Sequence, residues 1–463
     1  MNGGALFRRL GPAPLLAAML FVLMLVYPVP HTIALRNILL VAFLAGCAVP
    51  LRRAGRAAVV AAWAAQAPLR TAAWLMAALT TWLLLQSTLV SARPAEALNM
   101  LRGDWLIAII AFSAGAAAVL TVRTRVRTRV REGGRDARPL LRALVLALFA
   151  HVAVLLAYQG WRWLGEGVFP FARTPFAEKD YHSVVVTALL ALLLADLVAQ
   201  RLGRGGALGW PAAISLAMAA ACCVGAVTLS SRNAVIIAVC LVALSAGVLL
   251  AAKRGQAARW LAPTLAALLL FGGTLGWWGV RSDARWGSFL ESAAVAVQTE
   301  THRAWLAPGQ YPWPTTASGQ PVEESAYLRV AWAKVALEQI ARHPLGLGYG
   351  HKAFGWAVDG AYGLRSGHES SHSGLLDFTL ANGIPGILMW LGLSAALAAA
   401  GWRRFRRDGS PAGLLLAFTV AAYFLRCLLD GHLSGFRLEM YALMVGALVA
   451  AMPAGAADAP DPD

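Results

Sequence analysis

Runs of about 20 apolar residues recur along this chain, separated by short loops rich in arginine, and such runs match the length a helix needs to cross a bilayer. The 463 residues are 59% hydrophobic and only 14% charged, the balance of a polytopic membrane protein. The runs are rich in Leu, Ala and Val and lack the roughly ten-residue alternation of barrel strands. In hydrocarbon their backbone polar groups must therefore be satisfied within helices, and the expected fold class is all-α.

Basic residues set the direction of each crossing, because Lys and Arg accumulate in cytoplasmic loops. Arg8 and Arg9 precede a first helix at Leu15 to Tyr27, which resembles a signal peptide but lacks a small-x-small cleavage site and is read as uncleaved. A second helix at Ile33 to Val49 returns to Arg52, Arg53 and Arg56, so the N-terminus is expected in the cytoplasm. Residues 57–68 are apolar but short and read as an interfacial segment. Further on, a fourth helix is expected at Trp105 to Val122, a ninth at Leu261 to Val280 and a tenth at Leu375 to Ala400, which meets the basic run WRRFRR. The reading is about 12 transmembrane helices with both ends inside and one long, partly helical periplasmic loop between helices nine and ten. It divides the chain into spans at 1–280, a periplasmic loop domain at 281–375, and final spans with a short cytoplasmic tail at 376–463.

A formal net charge of +17 raises the possibility of nucleic-acid binding, but the charge lies in short loops where topology already explains it, so no nucleic-acid partner is expected. Cys47, Cys222, Cys223, Cys240 and Cys427 all fall in apolar runs without metal-ligand spacing and read as packing residues. The Asp-x-Asp of Asp461 and Asp463 lies in the tail, so no metal site is expected on the outer face, and no cofactor is implied. A transporter would place ionisable or broken helices near the midplane; Asp196 sits near a cytoplasmic end, and no inverted repeat is apparent.

Parity brings Arg232, in the tight turn SSRN, Arg281 and Arg285 after helix nine, and His372 before helix ten to one outer face. An arginine at such a boundary is commonly a snorkelling anchor, and a histidine there a cap. Residues 325–342 read as an amphipathic helix with Leu328, Ala331, Trp332, Val335 and Ala336 on one stripe and Arg329 beside it. The turn PLGLGYG that follows offers flexible backbone and exposed N–H groups. Planar guanidinium forks suit phosphate oxygens, and a histidine at a helix N-terminus, kept neutral by the dipole, can accept a proton from a hydroxyl.

Three stretches carry a resemblance to a known family: SSRNAVIIA, YLRVAWAKVALEQIARHPLGLGYG and SHSGLLDFTLANGIPGILMW. They resemble the Ser-Arg turn, the Arg, Trp, His-Pro and Gly-x-Gly segment, and the His and Gly-x-x-Gly segment of the bacterial O-antigen ligase and polymerase superfamily, over roughly residues 210–400. The resemblance implies a GT-C-like glycosyltransferase of the Gram-negative inner membrane, with its site facing the periplasm. It implies an undecaprenyl-pyrophosphate-linked glycan as donor, lipid A core oligosaccharide as acceptor, and neither metal nor cofactor; direct attack opposite the leaving group is then expected to invert the transferred sugar. By position it makes His372 the base and Arg232 and Arg329 the pyrophosphate contacts, while Arg281 is included for its location. Ser373 stands where the family often has Asn, so no amide contact is carried over there. An O-antigen polymerase, or a ligase acting on protein, shares the same motifs and donor.

Overall fold

The computed structural model describes residues 12–64, 66–126, 137–252, 288–363, 365–431 and 433–453. Among these residues the structure is helical, with isolated bridges Pro308–Tyr311 and Thr315–Pro321 in place of strands. The helices up to the long loop are α1 (Pro12–Val26), α2 (Ile33–Ala54), α3 (Arg56–Ala64), α4 (Ala67–Leu85), α5 (Pro94–Met100), α6 (Leu106–Val126), α7 (Arg138–Glu166), α8 (Lys179–Arg201), α9 (Ala212–Thr228) and α10 (Arg232–Ala252). Then follow α11 (Phe289–Ala296), α12 (Glu324–Arg342), α13 (Ala353–Tyr362), α14 (Gly374–Asp408), α15 (Pro411–Leu429) and α16 (Gly435–Ala451). Two π-helical turns, Gln86–Val90 and Leu101–Trp105, extend α4 and join α5 to α6.

Eight spans among the described residues are long and apolar enough to cross a membrane, and α1 and α9 supply shorter apolar helices. The protein is an all-α, multi-pass membrane protein. Each expected span has its helix except the ninth, which lies outside the described residues, as do Arg281, Arg285, Asp461 and Asp463. Boundaries differ from the expectation at several spans, among them the fourth and the tenth. The fourth span begins at Pro94 rather than Trp105, because Glu96, Asn99, Arg102 and Asp104 mask the helical stretch from hydropathy. The tenth runs on through its arginines to Asp408, since Arg is a good helix former and Arg404 pairs with Asp408 at 3.0 Å one turn on. It stops at Gly409, in the left-handed conformation usual after a helix end.

Glycines let the helices close on one another. Gly115 of α6 and Gly446 of α16 each face the backbone of the opposite helix, and Gly401 of α14 and Gly413 of α15 do the same, leaving no space for a Cβ. Small residues at such crossings let helix backbones approach in a setting where lipid is as apolar as leucine. Asp196 is fully buried on α8 but accepts hydrogen bonds from Gln200, Leu208 N–H and Ser215, so it fastens the following loop.

Residues 288–373 cap one end of the bundle with a second apolar cluster that includes Trp305, Tyr327, Ala331, Val335 and Phe354, packed on Leu380 and Ala381 of α14. The turn PLGLGYG locks this cap to a break in α14 at Gly383, where φ is 73° and ψ 177°. The break frees carbonyls that other elements satisfy: Leu347 N–H donates to Leu380 O (3.0 Å), Gly348 N–H to Ala381 O (2.9 Å) and Trp82 Nε1–H to Asn382 O (2.8 Å). Ile384 N–H returns a bond to Pro344 O at 2.8 Å. Two of the N–H groups expected to be exposed in the turn are therefore occupied by α14, because an interrupted helix needs its carbonyls paired away from water.

Candidate active site

The turn before α10 passes through Ser230, at φ 48°, and Ser231 caps the helix by accepting Ala234 N–H at 3.4 Å. This sets Arg232 at the first position of α10, on the capped end of the bundle. Arg232 Nη2 donates to Glu323 Oε1 at 3.0 Å, with the two side chains 15% and 9% exposed. The other oxygen of Glu323 accepts Ala326 N–H at 2.6 Å and so caps α12. A carboxylate is doubly favoured there, by the orphan N–H groups and by the positive end of the helix dipole.

The apolar stripe of α12 is buried in the cap, as its periodicity indicates, and Arg329 is left half-buried at its edge. Arg329 Nη1 donates to Asn233 Oδ1 at 3.3 Å, and Asn233 Nδ2 donates to Leu429 O at 3.3 Å, which ties α12, α10 and α15 together. A guanidinium has five N–H donors. With one on Asn233, the rest of the Arg329 fork has no protein acceptor among the described residues.

One turn further along α12, Trp332 donates its Nε1–H to Trp305 O (3.1 Å) and offers its face to His372, whose ring stacks on it at 5.2 Å with 14° between planes. His368 meets the same indole edge-on at 5.2 Å and bonds through Nε2 to Leu306 O at 3.0 Å. His372 has φ 59°, an uncommon value for a residue with a Cβ and one that clusters at functional sites. The strap holds it: His372 N–H donates to Ser370 Oγ (3.4 Å), Ser371 N–H to Asp377 Oδ1 (2.8 Å) and Gly374 N–H to Asp430 O (3.0 Å).

The imidazole titrates below the ordinary histidine range. Hydration lost on the face stacked against Trp332 is the main cause, while the residue stays exposed elsewhere; Asp430 and Asp180 pull upward, and Arg329 pushes further down. The direction agrees with expectation, but the cause is dehydration and a neighbouring guanidinium, since α14 starts only at Gly374, two residues on. A neutral imidazole close to an under-bonded arginine can take a proton while the arginine meets negative charge.

Of the four candidate residues, Arg232, Arg329 and His372 come together across α10, α12 and the strap before α14; Arg281 lies outside the described residues. Sequence reasoning missed Glu323, Asn233, Asp180 and Asp430. An acid ahead of an amphipathic helix was a visible signal for Glu323 as a cap, but nothing local couples it to Arg232, 91 residues away. Periodicity places Trp332 on the buried stripe, and its role as the face under His372 depends on a segment 40 residues later in the chain.

A comparison with curated proteins gives no match. Residues 216–391, which include Arg232, Arg329 and His372, match the family model described as O-antigen ligase.

Proposed function

We propose that this protein transfers a glycan from undecaprenyl pyrophosphate to lipid A core oligosaccharide on the periplasmic face of the inner membrane, without metal or cofactor, and with inversion of the transferred sugar. The observation that carries this reading is the placement of His372, stacked on Trp332, within electrostatic reach of the under-bonded fork of Arg329. Residues 281–375 form the periplasmic part, flanked by spans at 1–280 and by spans and a short cytoplasmic tail at 376–463.

In the proposed step the acceptor hydroxyl oxygen forms a bond to the anomeric carbon as its proton passes to His372. The bond from that carbon to the pyrophosphate oxygen breaks, and the electron pair leaves with the pyrophosphate, whose charge Arg329 and Arg232 meet. Attack opposite the leaving group inverts the carbon. Pyrophosphate is already a good leaving group, so the chemistry asks for activation of the acceptor and alignment.

The test is transfer from purified undecaprenyl-pyrophosphate glycan to lipid A core in the presence of a chelator, together with the phenotype of a deletion strain. Full-length polymer retained on the carrier above a bare core supports the ligase. Polymer lost altogether supports a polymerase, and activity lost on chelation removes the metal-free step.

A further inference from the structure

A cavity of about 190 Å³ opens beside the His372 strap, bounded in part by Ser370 and Gly374 on either side of that residue. The imidazole turns instead to Trp332, so the cavity and the Arg329 side flank the same short strap. Its walls carry Asp104, Glu369, Asp377, Tyr349, Asn382 and Arg437. Backbone N–H groups hold two of the acids in place, Gly435 on Asp104 at 3.0 Å and Ser371 on Asp377 at 2.8 Å.

Three polar atoms of this wall are buried without a hydrogen-bond partner: Tyr349 Oη, Asn382 Oδ1 and Arg437 Nε. Tyr349 and Asn382 are only 2% and 1% exposed. A buried polar group left unmet is destabilising, which is a reason to look for a ligand that completes these three. They ask for a molecule that both donates and accepts.

We infer that this cavity is a saccharide subsite that takes a phosphate-free sugar ring of the acceptor. A sugar hydroxyl donates to Asp104, Asp377 or Asn382 and accepts from Arg437 or Tyr349, whereas a pyrophosphate group only accepts and meets three carboxylates. The volume is below the roughly 300–1,000 Å³ of sites that enclose a whole drug-sized ligand, which suits one ring rather than an extended chain. Placed here, the acceptor reaches the strap from the acidic side while the donor phosphates take the arginine side. The identity of this sugar as the acceptor rests on the proposed transfer reaction; its binding does not.

The test is ligand-observed NMR with the full-length protein in nanodiscs, with dephosphorylated, lipid-free core oligosaccharide and inorganic pyrophosphate as separate probes. Tyr349→Phe removes one hydroxyl and keeps the ring. Gly431→Ile fills the cavity from a wall position where an added Cβ makes only ordinary contacts, 3.7 Å from Asp377 and 3.9 Å from Ser370. The wild type is expected to bind the oligosaccharide, both variants to weaken it at least about tenfold, and pyrophosphate to leave it bound. No binding by the wild type, unchanged binding by folded Gly431→Ile, or displacement by pyrophosphate overturns the subsite. In the transfer assay both variants should raise the acceptor KM and leave the donor KM unchanged. Saccharide binding without any transfer would defeat the ligase reading and leave the subsite standing; transfer with an unchanged acceptor KM in both variants would do the reverse.

Discussion

Arg232 and Glu323 lie 91 residues apart and meet in a 3.0 Å ion pair, one at the start of α10 and the other capping α12. The pair joins a membrane helix to the cap, and Glu323 bears both duties with its two oxygens.

That double duty separates two substitutions. Glu323→Ala loses the cap and the partner of Arg232, and is expected to lower stability by about 2 kcal/mol. Glu323→Gln keeps a carbonyl oxygen for Ala326 N–H, so a loss of about 1 kcal/mol is expected. Thermal unfolding in detergent compares them, and equal losses would show that the cap contributes nothing.

Arg232→Lys and Arg329→Lys should each lose most transfer activity at normal expression. A compact ammonium retains the charge but cannot reproduce a planar two-pronged contact to pyrophosphate oxygens. Wild-type rates for both variants would make these arginines anchors.

His372→Ala should lower turnover by about 10² to 10⁴ while donor binding stays near normal, and His368→Ala should lose less, its Nε2 being engaged by Leu306 O. The acid limb of the wild-type rate profile should fall below the ordinary histidine range, because lost hydration favours the neutral ring. Trp332→Leu admits water, so the limb should move to higher pH. The sign for stability is the same: folding binds His372 in its neutral form, so its contribution is present above the ordinary histidine pKa and is lost as pH falls through the depressed one. A limb unmoved by Trp332→Leu would remove His372 from the titrating role.

Gly383→Ala should destabilise the protein by about 2–3 kcal/mol. The position has φ 73° and ψ 177°, and an added Cβ comes within 2.5 Å of Leu345 C in the docked PLGLG turn. The melting temperature reads the effect, and an unchanged value would mean that the turn is not locked to α14.

Cysteine placed at Ser318, an exposed position in the cap, should react with a membrane-impermeant reagent in intact spheroplasts. Protection there would put the cap on the other side of the membrane and undo every assignment that depends on it.

The all-α membrane architecture was legible in the chain, because hydropathy over about 20 residues is a local property that lipid reads directly. So was the buried stripe of α12, since a helix period places Ala331, Trp332 and Val335 on one side without reference to any other segment. The polar start at Pro94 and the extension of α14 to Asp408 escaped, because neighbouring elements and an intrahelical ion pair, rather than hydropathy, carry those turns. Motifs marked Arg232, Arg329 and His372 one at a time. Only the tertiary structure decided that Glu323 holds the first, that Asn233 takes a single donor of the second, and that Trp332 dries one face of the third. Those contacts join residues dozens of positions apart, and they exist because the cap folds back onto a helix broken at Gly383, a relationship that no local pattern encodes.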